Sequence, residues 1–301
     1  MNRVGVHYAY WLHDWNTDFI RALEHAKEVG FEAVDFATAD LMAMPPAERA
    51  RVRRKAEELD LALAFAPATG PEVDIACEDE DIRRHGIEYF KDCIRFTAEM
   101  GSDILGGIIY SSWGAKVNGV LNDKSEALKR SKDALTKILP TAEECGVYYA
   151  LEIVNRFEQY LLNTTEEGIA YVDELASPRL RLLLDTFHMN IEENDIPAAI
   201  RAAGNRVAHF HVGEPNRRVP GQGGDGRMPW NGIFRALNDI GYPGIITMEP
   251  FVRMGGEVGK AISLWRDIVP NDGSTLDQDA REAIAFVKQH VALAERTALN
   301  G

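Results

Sequence analysis

The sequence predicts an α/β protein folded as a (β/α)8 TIM barrel. Two observations carry that expectation. Short apolar runs alternate with stretches of helical periodicity eight times along the chain, and units that alternate in this way build parallel sheets covered by helices. Glycines stand between a helical stretch and the next apolar run at Gly30, Gly101, Gly146 and Gly241, where a left-handed cap lets the chain turn back toward the sheet.

The units run in order along the chain. Val4 to Tyr8 reads as the first strand, with a helix after it from Thr17 to Val29 and Thr17 or Asn16 as its cap. Ala33 to Phe36 precedes a helix over Pro46 to Leu59, and Leu61 to Ala66 precedes one over Asp79 to Met100. Ile104 to Ile109 leads to Lys124 to Cys145. In the second half, Val147 to Glu152 pairs with Thr165 to Leu175, and Leu180 to Asp185 with Ile196 to Ala203. Val207 to Val212 pairs with Trp230 to Ile240, and Ile245 to Glu249 with a helix near Val258 to Asp267. After the polar break Pro270-Asn271-Asp272-Gly273-Ser274, a last amphipathic helix over about residues 275 to 299 is expected to pack on the outside or bottom of the barrel, or on a partner subunit. An open doubly wound sheet is disfavoured, because Val6-His7-Tyr8-Ala9-Tyr10 after the first strand carries no Gly-x-Gly-x-x-Gly turn.

With 301 residues, 46% of them hydrophobic, the chain suits one barrel domain over 1–301. Its 33 Lys and Arg against 47 Asp and Glu leave a net charge of −14, which repels phosphate backbones and anionic lipid and so argues against nucleic-acid and membrane partners. The three cysteines, Cys77, Cys93 and Cys145, are widely spaced and leave one over from any pairing, as expected of reduced thiols in a cytoplasmic protein. No apolar run approaches the roughly 20 residues that span a bilayer.

Four apolar runs of the second half each end on a residue able to hold a divalent ion: Tyr-Ala-Leu-Glu152, Leu-Leu-Leu-Asp185, His-Phe-His211 and Thr-Met-Glu249. At the carboxyl ends of neighbouring barrel strands such side chains converge on one bowl. Taken singly, each also reads as a helix N-cap or a solvated loop residue. Alternation along the strand puts Glu152 on the same face as Ala150 and Tyr148, and His211 on the same face as His209 one layer deeper. His209 therefore reads as a core or supporting histidine. Three oxygen ligands and one nitrogen, with no sulfur, suit Mn2+ or Mg2+ better than structural zinc.

Leu-Glu152-Ile-Val-Asn-Arg-Phe-Glu158, Asp-Thr-Phe-His188, His-Phe-His211-Val-Gly-Glu, Asn-Arg217-Arg-Val-Pro-Gly and Met-Glu249-Pro-Phe together resemble the D-tagatose 3-epimerase family, which includes D-psicose (D-allulose) and L-ribulose 3-epimerases. The resemblance runs from Tyr-Ala-Tyr-Trp11 to the eighth strand. It implies a xylose-isomerase-like barrel with one Mn2+, or Co2+ or Mg2+, per subunit on Glu152, Asp185, His211 and Glu249. It further implies that Glu152 and Glu249 are the acid/base pair, that Glu158, His188 and Arg217 grip a free ketose, and that the protein is a homodimer or homotetramer.

The chemistry agrees with those residue types. A ketose proton at C3 is acidic because the C2 carbonyl takes up charge as a cis-enediolate, and inversion there needs acid/base groups on both faces of the sugar. The gripping residues keep duller readings: Glu158 as a loop acid, His188 as a cap on the Asp185 turn, Arg217 as half of a solvated pair with Arg218. Of the aromatic residues near strand ends, Trp113 and Tyr8 are expected to wall the sugar, whereas Trp11 and Trp15 read as packing under loops. The segment Pro220 to Trp230 reads as a lid-like loop over an unphosphorylated sugar, its acidic neighbours Glu214 and Asp225 opposing a phosphate site. The principal alternative is a hydroxypyruvate isomerase or inosose dehydratase of the same barrel type. A phosphosugar epimerase, an endonuclease-IV-like nuclease and a non-enzymatic sugar binder are more distant.

Overall fold

A computed structural model describes residues 2–117, 120, 123–224, 226–270 and 272–299. Eight parallel strands close into a barrel in sequence order. They are β1 (Val4–His7), β2 (Ala33–Ala37), β3 (Ala62–Ala66), β4 (Ile104–Gly107), β5 (Tyr148–Ile153), β6 (Leu180–Asp185), β7 (Val207–Val212) and β8 (Ile246–Met248). Around them run α1 (Phe19–Val29), α2 (Thr38–Ala43), α3 (Pro46–Glu58), α4 (Glu80–Glu99), α5 (Ser125–Cys145), α6 (Thr165–Leu175), α7 (Thr186–Glu192), α8 (Ile196–Ala203), α9 (Trp230–Asp239), α10 (Gly256–Ala261) and α11 (Leu276–Leu299). The barrel is the one expected, and its core lies in two shells, inside the sheet and between sheet and helices.

Helix ends obey local chemistry. The carboxylate of Asp18 accepts from the Ile20 and Arg21 amides and starts α1, one residue beyond Thr17 and two beyond Asn16, the caps expected, because an Asp at this point satisfies two orphan donors at once. Gly30 closes α1 at φ 116°. A capping box of Thr164 and Glu167 opens α6. Two short helices escape the sequence pattern: α2 and α7 begin on the residue after a strand, with no intervening turn signal to mark them. The helix expected near Val258 to Asp267 is shorter, ending at Ala261, and the first strand gives way at Tyr8 to a single 3-10 turn, Tyr8–Trp11.

Two features of the sheet set the height and spacing of the side chains at its carboxyl end. Gly5 faces inward where a Cβ would stand 2.7 Å from Thr247 Oγ1, so its lack of a side chain lets β1 and β8 approach. Between β6 and β7 the register shifts after Leu182, so that Leu183 pairs with His209 and Asp185 with His211. The extra residue re-aims β7 and brings the Asp185 and His211 side chains to one level. All three cysteines are free thiols. Among the described residues no helix is long and apolar enough to cross a membrane.

Candidate active site and metal centre

Glu152 near the end of β5, Asp185 at the end of β6, His211 near the end of β7 and Glu249 just after β8 bring four ligand atoms within 4.8 Å of one another. Ligand atoms on one octahedral ion stand roughly 3 to 4.2 Å apart, and the 3.6 Å between His211 Nδ1 and Glu249 Oε1 lies in that range. Asp185 is also the N-cap of α7: one carboxylate oxygen accepts from the Phe187 amide at 2.8 Å, while the other is buried without a partner. Capping thus occupies one oxygen of Asp185 and leaves the other available to a cation.

His211 meets the same test. Its Nε2 donates to Asp35 at 3.1 Å, which leaves Nδ1, buried and without a hydrogen-bond partner, facing Glu249 at 3.6 Å. A histidine whose second nitrogen is held by a carboxylate is oriented as a metal ligand. The same Asp35 oxygen accepts from His209 Nε2 at 2.6 Å, and the other accepts from the Thr247 hydroxyl at 3.0 Å. Asp35, His209 and His211 also fall within ligand range of each other, but contacts of 2.6 and 3.1 Å are direct hydrogen bonds with no space for an ion between them. His209 is therefore a supporting residue, one layer below the bowl as its strand position indicated.

Electrostatics in the bowl demand positive charge. Burial, then the neighbouring Glu249, hold the Glu152 carboxyl well above the usual carboxylate range, against the opposing pull of His211. Burial likewise raises Glu249 to about 7, with His211 opposing and Asp185 adding to the rise. Burial disfavours a charged His211 ring, yet Glu249 and Asp35 outweigh it and raise the ring to about 10. The protons held here are the charges that a divalent cation would replace. The residues fit such an ion.

Across the bowl stands a second set of polar side chains. His188 Nδ1 accepts from the Asn155 side-chain amide at 2.8 Å, so the proton of the neutral ring sits on Nε2, 3.6 Å from Glu152. Burial, opposed by the charge of Asp185 and reinforced by that of Arg217, lowers His188 to about 3 and keeps it neutral. Arg217 is largely buried rather than a solvated partner of Arg218. Its guanidinium stacks 3.6 Å from the Phe187 ring centre and reaches Glu249 at 3.5 Å and Glu158 at 3.4 Å. Glu158 in turn accepts from Trp113 Nε1 at 3.1 Å. The sequence-derived residues Glu158, His188, Arg217 and Trp113 thus form one connected group beside the four candidate ligands.

Tyr8 does not join them. Its ring packs on Phe19 and Phe36 on the helix side of the sheet, and its hydroxyl donates to the Trp15 carbonyl. The inward place belongs to His7, in register with Asp35, whose ring packs against Phe251 and stands edge-on to Trp15. Burial lowers His7 to about 4, so it is a neutral wall of the bowl. Trp11 packs below, as expected, donating to Asp277.

The family model for xylose isomerase-like TIM barrels matches residues 23–290. The chain is 37% identical to the D-psicose 3-epimerase of Ruminiclostridium cellulolyticum, covering 94% of this chain and 95% of that protein. It is 31% identical to the L-ribulose 3-epimerase of Mesorhizobium japonicum, over 99% and 97% of the two chains. The chain belongs to the ketose 3-epimerase family. A solved structure of D-psicose 3-epimerase with D-tagatose from Clostridium cellulolyticum superposes with a TM-score of 0.91 at 36% identity, over 96% of this chain and 99% of that one. Family membership makes the protein an enzyme of the isomerase class, a carbohydrate epimerase.

Within this ketose 3-epimerase the residues missed by sequence reasoning are supporting ones: Asp35, Thr247, Asn155 and His7. Asp35 left a signal, a lone acid at an inward position of the apolar run Ala33-Val34-Asp35-Phe36-Ala37. Replacing Asp35 by Asn is expected to weaken Mn2+ binding by about 10- to 100-fold, because the amide no longer selects the Nε2–H tautomer of His211. Isothermal titration of the metal-free variant measures this. Affinity equal to the parent would show that Asp35 does not orient the ligand.

Proposed function

We propose that the protein inverts C3 of free ketohexoses or ketopentoses, such as D-psicose, D-tagatose, D-fructose and L-ribulose, through a cis-enediolate. One observation carries the reading: two glutamates whose side chains are largely covered, Glu152 and Glu249, flank one bowl beside a neutral imidazole and an arginine. Two carboxyls facing one low-polarity bowl can divide the work, one ionised to take a proton and the other protonated to give one, the condition for an acid/base pair working near neutral pH. One, ionised, takes the C3 proton and becomes protonated, the other gives its own proton to C3 from the opposite face and becomes ionised, and the roles exchange with direction. His188 Nε2–H and Arg217 donate to the oxygens at the ketone end, and Trp113 and His7 exclude water. A divalent ion held by Glu152, Asp185, His211 and Glu249 would supply Lewis-acid polarisation of the ketone.

The oxygen-rich donor set supports Mn2+, with Co2+ or Mg2+ as substitutes. Relatives matched over nearly their full length and named as 3-epimerases favour this reading over a hydroxypyruvate isomerase or inosose dehydratase. Three free thiols support a cytoplasmic setting, the continuous barrel supports a single working domain over 1–301, and a homodimer or homotetramer rests on the family resemblance alone.

The deciding experiment is turnover of D-psicose by the Mn2+-loaded enzyme in D2O. Deuterium is expected at C3 of the D-fructose formed, since the glutamate that reprotonates C3 carries a deuteron taken from solvent. Product free of deuterium would replace proton transfer by a hydride or retro-aldol route.

A further inference from the structure

Glu214, two residues beyond β7, is 1% exposed and belongs to neither the ligand set nor the sugar-facing group. Oε1 of its carboxylate accepts from the Gly221 amide at 2.8 Å and from Trp230 Nε1 at 3.0 Å. Oε2 is buried with no partner, against Gly223, where an added Cβ would lie 1.9 Å from it. Burying a carboxylate whose second oxygen goes unmet is costly, so its value lies in what the first oxygen holds.

It holds the loop that presents Arg217. The Glu214 amide donates to the Arg218 carbonyl at 3.0 Å, and the Glu214 carbonyl accepts from the Arg217 amide at 2.9 Å. Inside this turn Arg217 adopts a left-handed conformation, φ 62°, which a residue with a Cβ keeps only where its surroundings over-determine it. Trp230, the far end of the span, packs on Phe286 of α11, and Gln222 donates to Asp279 of the same helix at 2.7 Å. The span expected to be a lid is thus tied to the barrel from below and to α11 from the side; Asp225 lies outside the described residues.

We infer that Glu214 is a positioning residue for Arg217, locking the loop after β7 so that the guanidinium meets the sugar in a preset orientation. The inference rests on Arg217 gripping the ketose, as proposed above. Its test is a double-mutant cycle on the Mn2+-loaded enzyme with D-psicose: Glu214→Ala, Arg217→Ala and the pair. Glu214→Ala is expected to raise KM about tenfold, the scale of a lost buried hydrogen-bond anchor, with Mn2+ affinity unchanged. In the Arg217→Ala background the same change is expected to move KM by less than about twofold, since residues acting through one contact are non-additive.

Gly223→Ala provides a second route. Gly223 is not in the left-handed region, so the added methyl presses on Oε2 without straining its own backbone, and KM is expected to rise here too. Additive effects in the cycle, or a folded Glu214→Ala enzyme with parental KM, would overturn the inference while leaving Arg217 on the sugar. If Glu214→Ala does not fold, parental KM in Gly223→Ala overturns it alone. Parental KM in Arg217→Ala would remove Arg217 from the sugar, and this inference with it.

Discussion

Glu249→Gln is expected to lower kcat by about a thousandfold or more, the upper range for loss of a general acid/base group, while the far-ultraviolet dichroism of the barrel is unchanged. The side chain sits just beyond β8, whose strand pairs with β1 and β7, so an isosteric change there leaves the sheet intact. The amide can still offer one oxygen to an ion, but it can neither take nor return a proton at C3. Glu152→Gln is expected to behave alike, because inversion needs a working group on each face. The two variants separate in partial reactions: each retains whichever half of the exchange its remaining glutamate performs, read as tritium wash-out from C3-labelled D-psicose or D-fructose. A Glu249→Gln enzyme with near-parental turnover would sink the assignment.

Chelation is expected to remove turnover by at least about a hundredfold, since charge stabilisation by a Lewis acid is worth several kcal/mol, and Mn2+ is expected to restore it. A protein that merely binds sugar would be indifferent to both treatments. The pH dependence of reloading has a definite sign. In the ion-free protein, Glu249, raised to about 7, and His211, raised to about 10, hold protons that an ion must displace. Apparent Mn2+ affinity therefore strengthens as pH rises, by about one log unit per pH unit for each proton displaced. Calorimetric titrations between about pH 6 and 8.5, a window chosen around these groups, measure the slope. A flat profile would mean that the ion does not take the place of those protons.

The barrel is legible in the sequence because eight apolar runs and their helices keep strict alternation, and the four candidate ligands that the fold gathers in one bowl are legible because each polar residue ends such a run. The rest is hidden for physical reasons. Asp35 sits mid-run in β2 and is recognised only when β7 is laid across the barrel from it, a pairing at a separation of 176 residues. Tyr8 and His7 are neighbours in the run Val4 to Tyr8, and nothing in that run marks which of them faces the bowl; in the barrel Gly5 and His7 point inward, so alternation sends Tyr8 to the helix side. The helices α2 and α7 start directly on strand ends, and a cap such as Asp185 looks the same in sequence whether its second oxygen meets solvent or a cation. Glu158 and Arg217 are far apart in the chain, so their contact is a product of two loops and has no local pattern.

The skipped pairing between β6 and β7 constrains any attempt to rebuild this barrel. Ala208 lies between Val207, opposite Leu182, and His209, opposite Leu183, and acts as a spacer. Removing it would trade inward and outward faces along the rest of β7 and point Phe210 where an imidazole is needed. The two strands are consequently a matched cassette, to be exchanged between relatives together or not at all.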